Sequence, residues 1–244
     1  LKTISKDIKK RIAMMGNLFV VEDLVRAYVV ATDTALIKSK GKVWHASSMK
    51  EGIIPCSGID TDARWGFGRT KRWIFGYKLH MTSSTDSIIV PLSADVTTAN
   101  VSDKPVYPDM VSDLSPELLR KIHFMIADPG YDGKKLYDLS MAKGFQLVCP
   151  VKRYKKTKEE RLKLADFYES ALGQVVYSRR KISIEPLIEY IKSTFRIDPV
   201  PVKGLDKVRS IVLLSVFLYQ ITVYHNCKIH KDNPRRDIKY MIGC

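Results

Sequence analysis

The stretch FMIADPGYD, residues 124–132, decides how the chain is read. Four apolar residues with strand character run straight into Asp128, Pro129 and Gly130. Asp is unfavourable inside a strand, and Pro and Gly end a ladder at once. Asp128 is therefore expected at the carboxyl end of a strand, on the rim of a sheet where sites form. A plain turn explains the same residues, because Asp begins turns and Asp-Pro-Gly is favourable turn chemistry.

Working outward, YVVATDTAL (28–36) reads as a second strand, rich in β-branched residues and ending at Asp33. Residues 7–27 before it are amphipathic at helical spacing. WIFGYKLHMTS (73–83) and SIIVPLSADV (87–96) predict a hairpin turning at residues 84–86. Beyond Asp128, GKKLYDLSMAKG predicts a helix stopped by Gly144, FQLVCP a strand, and 157–172, 183–196 and 204–226 further helices. The connection from about residue 37 to GRTKRW has no clear periodicity, which is uncommon unless it is functional. This order predicts an α/β fold: a mixed sheet flanked by helices, with the strands of Asp33 and Asp128 side by side.

The chain has 244 residues, enough for one domain or one domain plus an appendage. Its 41 Lys and Arg against 26 Asp and Glu leave a net charge of +15, which favours a polyanionic partner, most commonly nucleic acid. A generally basic protein is the alternative. Cys56, Cys149, Cys227 and Cys244 are scattered without a CxxC pair and read as reduced thiols of a cytoplasmic protein. His225, Cys227 and His230 supply too few ligands, at the wrong spacing, for zinc. The longest uncharged run, Ser210 to Tyr224, falls short of the roughly 20 residues of a membrane span and predicts a buried helix. No signal peptide is visible, and the chain opens on Leu1, so an upstream segment is expected.

Asp33 and Asp128 each follow an apolar strand, so a turn would have to explain the same event twice. Phosphodiester chemistry offers one explanation for both, since two Mg²⁺ ions held by carboxylates activate water and stabilise the leaving oxygen. A third carboxylate would complete such a site. In SIEPLIEYIKSTFR, Glu185, Glu189, Lys192 and Arg196 share one stripe of a helix, opposite Ile184, Leu187, Ile191 and Phe195. A solvated face with i, i+3 and i, i+4 charge pairs predicts the same stripe. Pro186 belongs in the first turn, with Ser183 as N-cap, and so puts Glu185 near the helix start.

Together, ATDT, WIFGYKLH, ADVTTANVSD, ADPGYD and RRKISIEPLIEYIK resemble the DDE transposase domain of bacterial and archaeal insertion sequences, over roughly residues 28–226. The resemblance implies an RNase H-like five-stranded sheet, two Mg²⁺ ions that Mn²⁺ can replace, and metal-dependent cleavage and strand transfer at element ends. It makes Asp33 and Asp128 the catalytic aspartates and Glu185 the glutamate, all three as metal ligands. Tyr131 matches the aromatic after the second aspartate, and Lys192 the lysine of the Tyr-Arg-Glu-Lys signature, a phosphate contact. Two positions depart from the pattern. The signature arginine falls on Lys181, with Arg180 and Arg179 beside it, and the tyrosine on Ser178, with Tyr177 displaced by one. The spacing from Asp128 to Glu185 is too short for the large insertion domain of some relatives. A homodimer on paired double-stranded DNA ends and a bacterial or archaeal cytoplasmic setting, without membrane, belong to the same expectation. A nuclease without strand transfer, or an inactive DNA-binding derivative, is compatible with the same residues.

On this reading residues 1–27 are a helical segment preceding the catalytic domain, 28–226 the domain itself, and 227–244 a basic tail. RWGFGRTKRW (64–73) interleaves aromatic and basic residues, so Arg64, Arg69, Lys71 and Arg72 join Lys181, Arg180 and Lys192 as candidate DNA contacts, with Trp65 or Trp73 able to stack on a base. Tryptophans packed inward are the alternative. Lys78 and His80 point to one face of their strand, and Asp103 suits a turn or cap, with a supporting place behind the catalytic residues as the alternative. The charge run 151–163 reads as a solvated helix or a grip on DNA flanks.

Overall fold

In a computed structural model, residues 2–54, 56–68, 72–86, 88–151, 158–229, 232–235 and 238 are described. Helix α1 (Lys2–Val21) precedes strand β1 (Val29–Lys38), the short helix α2 (Ala46–Lys50), and strands β2 (Arg64–Phe67), β3 (Trp73–Ser84) and β4 (Pro91–Thr98). Helices α3 (Asp103–Ser112) and α4 (Pro116–Lys121), strand β5 (Phe124–Ile126), helix α5 (Lys134–Ala142) and strand β6 (Gln146–Val148) follow, then α6 (Glu159–Glu169), α7 (Ala171–Ile182), α8 (Ile184–Thr194) and α9 (Leu205–Lys228).

The expected mixed sheet is present. β3 is antiparallel to β1 on one side and to β4 on the other, while β1, β5 and β6 run parallel, so the five expected strands lie in the order β4-β3-β1-β5-β6 of an RNase H-like sheet. β2 adds a sixth strand by pairing with Trp73 to Gly76, the part of β3 that β4 leaves free.

One boundary corrects the sequence reading in a way that builds the site. β1 does not end at Asp33 but continues to Lys38. It pairs with β3 from Val30 to Lys38, yet with β5 only from Val29 to Ala31. The polar TDT looks like a strand end because one ladder stops there, while the other carries the chain on.

The core lies between sheet and helices. α1 buries Ile12, Phe19 and Val20 and packs on α9 and β4. α9 is long and apolar enough to cross a membrane by length and composition, but half of that window is buried. Inside it Gln220 donates to the carbonyls of Ile12 and Pro91, which ties α9 to α1 and β4. The helix expected over 157–172 is α6, shortened, and a separate helix α7 follows it. Ser170 ends α6 and caps α7 by accepting from the Gly173 amide at 3.0 Å.

Candidate active site

β5 carries Asp128 to the sheet's carboxyl edge as expected. There it caps the short 3-10 turn Pro129–Tyr131, its Oδ1 accepting from the Gly130 amide at 2.8 Å. A Cβ on Gly130 would stand 2.7 Å from that oxygen, so glycine is what lets the turn fold back onto the carboxylate. The turn is held from outside by α3 and α6. The Tyr131 ring is buried edge-to-face on Tyr107 at 5.7 Å, Lys104 donates to the Asp132 carbonyl at 2.6 Å, and Arg161 pairs with the Asp132 carboxylate.

The β1–β5 ladder ends at Ala31 and Ile126, and Asp33 and Asp128 each lie two residues beyond it, near enough for the Asp128 charge to act on the Asp33 carboxyl. This is the point where the two strands part, the crevice position at which α/β sheets take ligands.

α7 and α8 bring the third carboxylate. Arg180, in the last turn of α7, is buried and donates through Nη2 to Asp33 Oδ2 and through Nη1 to Glu185 Oε1, both at 2.7 Å. Glu185 stands in the first turn of α8 and Pro186 beside it, as expected. Ser183 occupies the N-cap position, but its hydroxyl donates back to the Arg179 carbonyl at 2.6 Å and does not cap. Burial pushes the Asp33 carboxyl above its usual range, Arg180 pulls it back, and Asp128 adds to the rise.

The signature arginine position needs correction. Lys181, which the aligned spacing selects, is exposed, and its neighbour Arg180 faces the carboxylates. The cause is the backbone break at Ser183, φ −115° and ψ −84°, which separates α7 from α8 and shifts the inward-facing register by one residue.

Lys192 lies on the glutamate's helix but bonds to Asp198 at 3.0 Å and Glu189 at 3.2 Å. Arg64 donates to the carbonyls of Thr61 and Ala63. Arg72 and Trp73 are exposed at the β2–β3 hairpin, while Trp65 packs on Phe75 and donates to the Trp44 carbonyl. Arg69, Lys71 and part of the charge run, residues 152–157, lie outside the described residues. Lys78 bonds to Asp103 at 2.9 Å, and Asp103 approaches Gly130 next to Asp128; His80 bonds to Thr97. Asp103 opens α3, which brings it across the fold to the Asp128 turn, in line with the supporting place behind the site that the ANVSD motif also allowed.

The donors gathered here are carboxylate oxygens, which suit hard divalent cations. Asp33 and Glu185 already share one cation, the Arg180 guanidinium. Among the described residues, no three of His, Cys, Asp and Glu are grouped closely enough to hold a metal ion as they stand.

No curated relative matches. Among solved structures, the chain is similar to a Mos1 transposase paired-end complex with left transposon end, at 12% identity over 86% of this chain and 61% of that one, TM-score 0.29. A Mos1 strand transfer complex matches at 13% identity over 88% and 60%, TM-score 0.30. A Drosophila P element transposase strand transfer complex matches at 12% over 88% and 47%, TM-score 0.23. The chain thus spans about three fifths, or less, of the length of these transposases. The Transposase DDE domain family matches residues 29–221, nearly the whole stretch from β1 to α9 that builds the sheet and the acidic crevice, and the chain belongs to that family.

Proposed function

We propose that this chain is the catalytic part of a DNA transposase that cuts and joins strands at the ends of an insertion sequence. The observation that carries the reading is that Asp33 shares the Arg180 guanidinium with Glu185, from a helix distant in sequence, and lies within electrostatic reach of Asp128 where β1 and β5 part. Those three carboxylates would hold two Mg²⁺ ions, or Mn²⁺ in their place, which when bound polarise the phosphodiester and lower the pKa of an attacking water. The carboxylate donors suit such ions, and the pairing of Asp33 and Glu185 with a guanidinium supports a site for positive charge.

The protein's own part is positioning. The Gly130 amide fixes one oxygen of Asp128, the Thr34 amide one oxygen of Asp33, and the turn into α8 sets Glu185. Water attacks the phosphodiester, and the freed 3′-hydroxyl then attacks target DNA, with no covalent enzyme intermediate. The net charge of +15 supports double-stranded DNA as partner. Arg72, Arg64, Lys181 and Lys192, with Arg69 and Lys71, would follow the phosphates, and Trp73 would stack on a base. A homodimer on paired ends and a cytoplasmic setting belong to the same proposal.

The test is metal-dependent nicking of a labelled element-end duplex by wild type and Asp128→Asn. The variant is expected to bind DNA and not cut it. Wild-type rates in Asp128→Asn would remove the mechanism, and cut ends that never join to a plasmid would reduce the activity to that of a nuclease.

A further inference from the structure

The Arg180 guanidinium is committed to the carboxylates and yet incompletely satisfied. Nη1 and Nη2 each bind one carboxylate at 2.7 Å, while the buried Nε has no hydrogen-bond partner among the described residues. Both oxygens of Asp33 are in use, Oδ2 by Arg180 and Oδ1 by the Thr34 amide at 2.9 Å. Two of the three proposed metal ligands therefore share one positive charge without metal. Arg180 also stands three residues before the Ser183 break, at the end of a helix whose continuation turns away. A guanidinium fork suits a phosphate as well as it suits a carboxylate.

Resting on the function proposed above, we propose that Arg180 is a resident counter-cation. In DNA-free protein it occupies the carboxylates and competes with divalent metal, and a DNA phosphate releases it by taking the guanidinium. Metal loading is then coupled to substrate. Linkage makes the coupling reciprocal, so DNA tightens metal binding by the factor by which metal tightens DNA binding, typically about 5- to 150-fold. The charge that draws these carboxylates together thereby keeps metal-activated water from forming without DNA.

The test is Mn²⁺ affinity, read from the electron paramagnetic resonance signal of free Mn²⁺, with and without a short duplex, after subtracting Mn²⁺ bound by DNA alone. Wild type, Arg180→Gln and Lys143→Gln are compared, the last removing the same charge from the exposed C-cap of α5. Arg180→Gln is expected to bind Mn²⁺ without DNA at least about 5-fold tighter than wild type. Lys143→Gln should match wild type, and DNA should tighten Mn²⁺ binding in wild type but not in Arg180→Gln. Unchanged affinity in Arg180→Gln, or equal tightening in Lys143→Gln, overturns the inference and leaves the metal site standing. Absence of Mn²⁺ binding by wild type even with DNA overturns the metal site and the inference together. If circular dichroism shows Arg180→Gln unfolded, Arg180→Lys, which lacks the two-pronged fork, must shift affinity in the same direction.

Discussion

Glu185 and Glu189 stand one turn apart on α8, and the fold treats them oppositely: the Glu185 side chain is 26% exposed and bonded to Arg180, the Glu189 side chain 71% exposed and bonded at the rim to Lys192. Glu185→Gln should lower nicking by about 10²- to 10³-fold or more, as the loss of a group acting on transition-state charge does. Glu189→Gln should cut at the wild-type rate. A reversed result would show that the other glutamate serves the site.

Gly130→Ala is expected to separate stability from activity. The new methyl meets Asp128 Oδ1 at 2.7 Å and must push the carboxylate aside, while the turn's backbone accepts alanine. Displacing a catalytic group by about 1 Å costs on the order of 10²-fold in rate. Parallel melts and nicking assays should show that loss with stability within about 1 kcal/mol of wild type. Undiminished cutting would mean that this oxygen needs no fixed position.

His80 makes the fold acid-sensitive. Burial pushes its imidazole down to about 4, and Nε2 is held by the Thr97 hydroxyl at 2.9 Å. The unfolded chain takes up this proton near pH 6.5, before the folded one does. The contribution is therefore complete above pH 6.5 and lost as pH falls toward 4, by on the order of 3 kcal/mol. Urea midpoints measured across this range should fall less steeply for His80→Gln. Parallel profiles would show that the imidazole is not kept neutral by the fold.

Trp73 tests the DNA surface. It is 64% exposed and meets Phe67, itself 60% exposed, edge-to-face at 5.3 Å on the outer end of the β2–β3 hairpin. Stacking on a base supplies about 1–3 kcal/mol, so Trp73→Ala should weaken binding to a frayed or single-stranded end by about 10-fold while the melting temperature stays put. Equal affinities would leave the aromatic pair without a nucleic-acid role.

Local chemistry made much of this fold legible. DPGYD placed Asp128, Gly144 with φ +88° stopped α5, and Pro186 located the start of α8. What escaped the sequence depends on contacts across the chain. β1 outruns Asp33 because β3 supports it, and the short β2 exists only against the start of β3. Arg180 could not be told from Lys181, since three basic residues in a row have no period and the break at Ser183 chooses between them. The α2, α3 and α4 helices sit in stretches too short or too rich in proline to show a repeat.

The early parting of β1 from β5 has one more consequence, for solubility. Beyond Ala31, β1 presents a sheet edge, and bare edges recruit strands from other molecules. Here side-chain oxygens occupy that edge: Asp33 Oδ1 takes the Thr34 amide and Asp198 Oδ1 the Lys38 amide, each at 2.9 Å. Asp33 would then plug this edge against aggregation, besides the part proposed for it in the crevice. Asparagine keeps an acceptor oxygen there and alanine does not. Preparations of Asp33→Ala should scatter light at concentrations where Asp33→Asn remains clear, which makes asparagine the sounder way to silence this crevice.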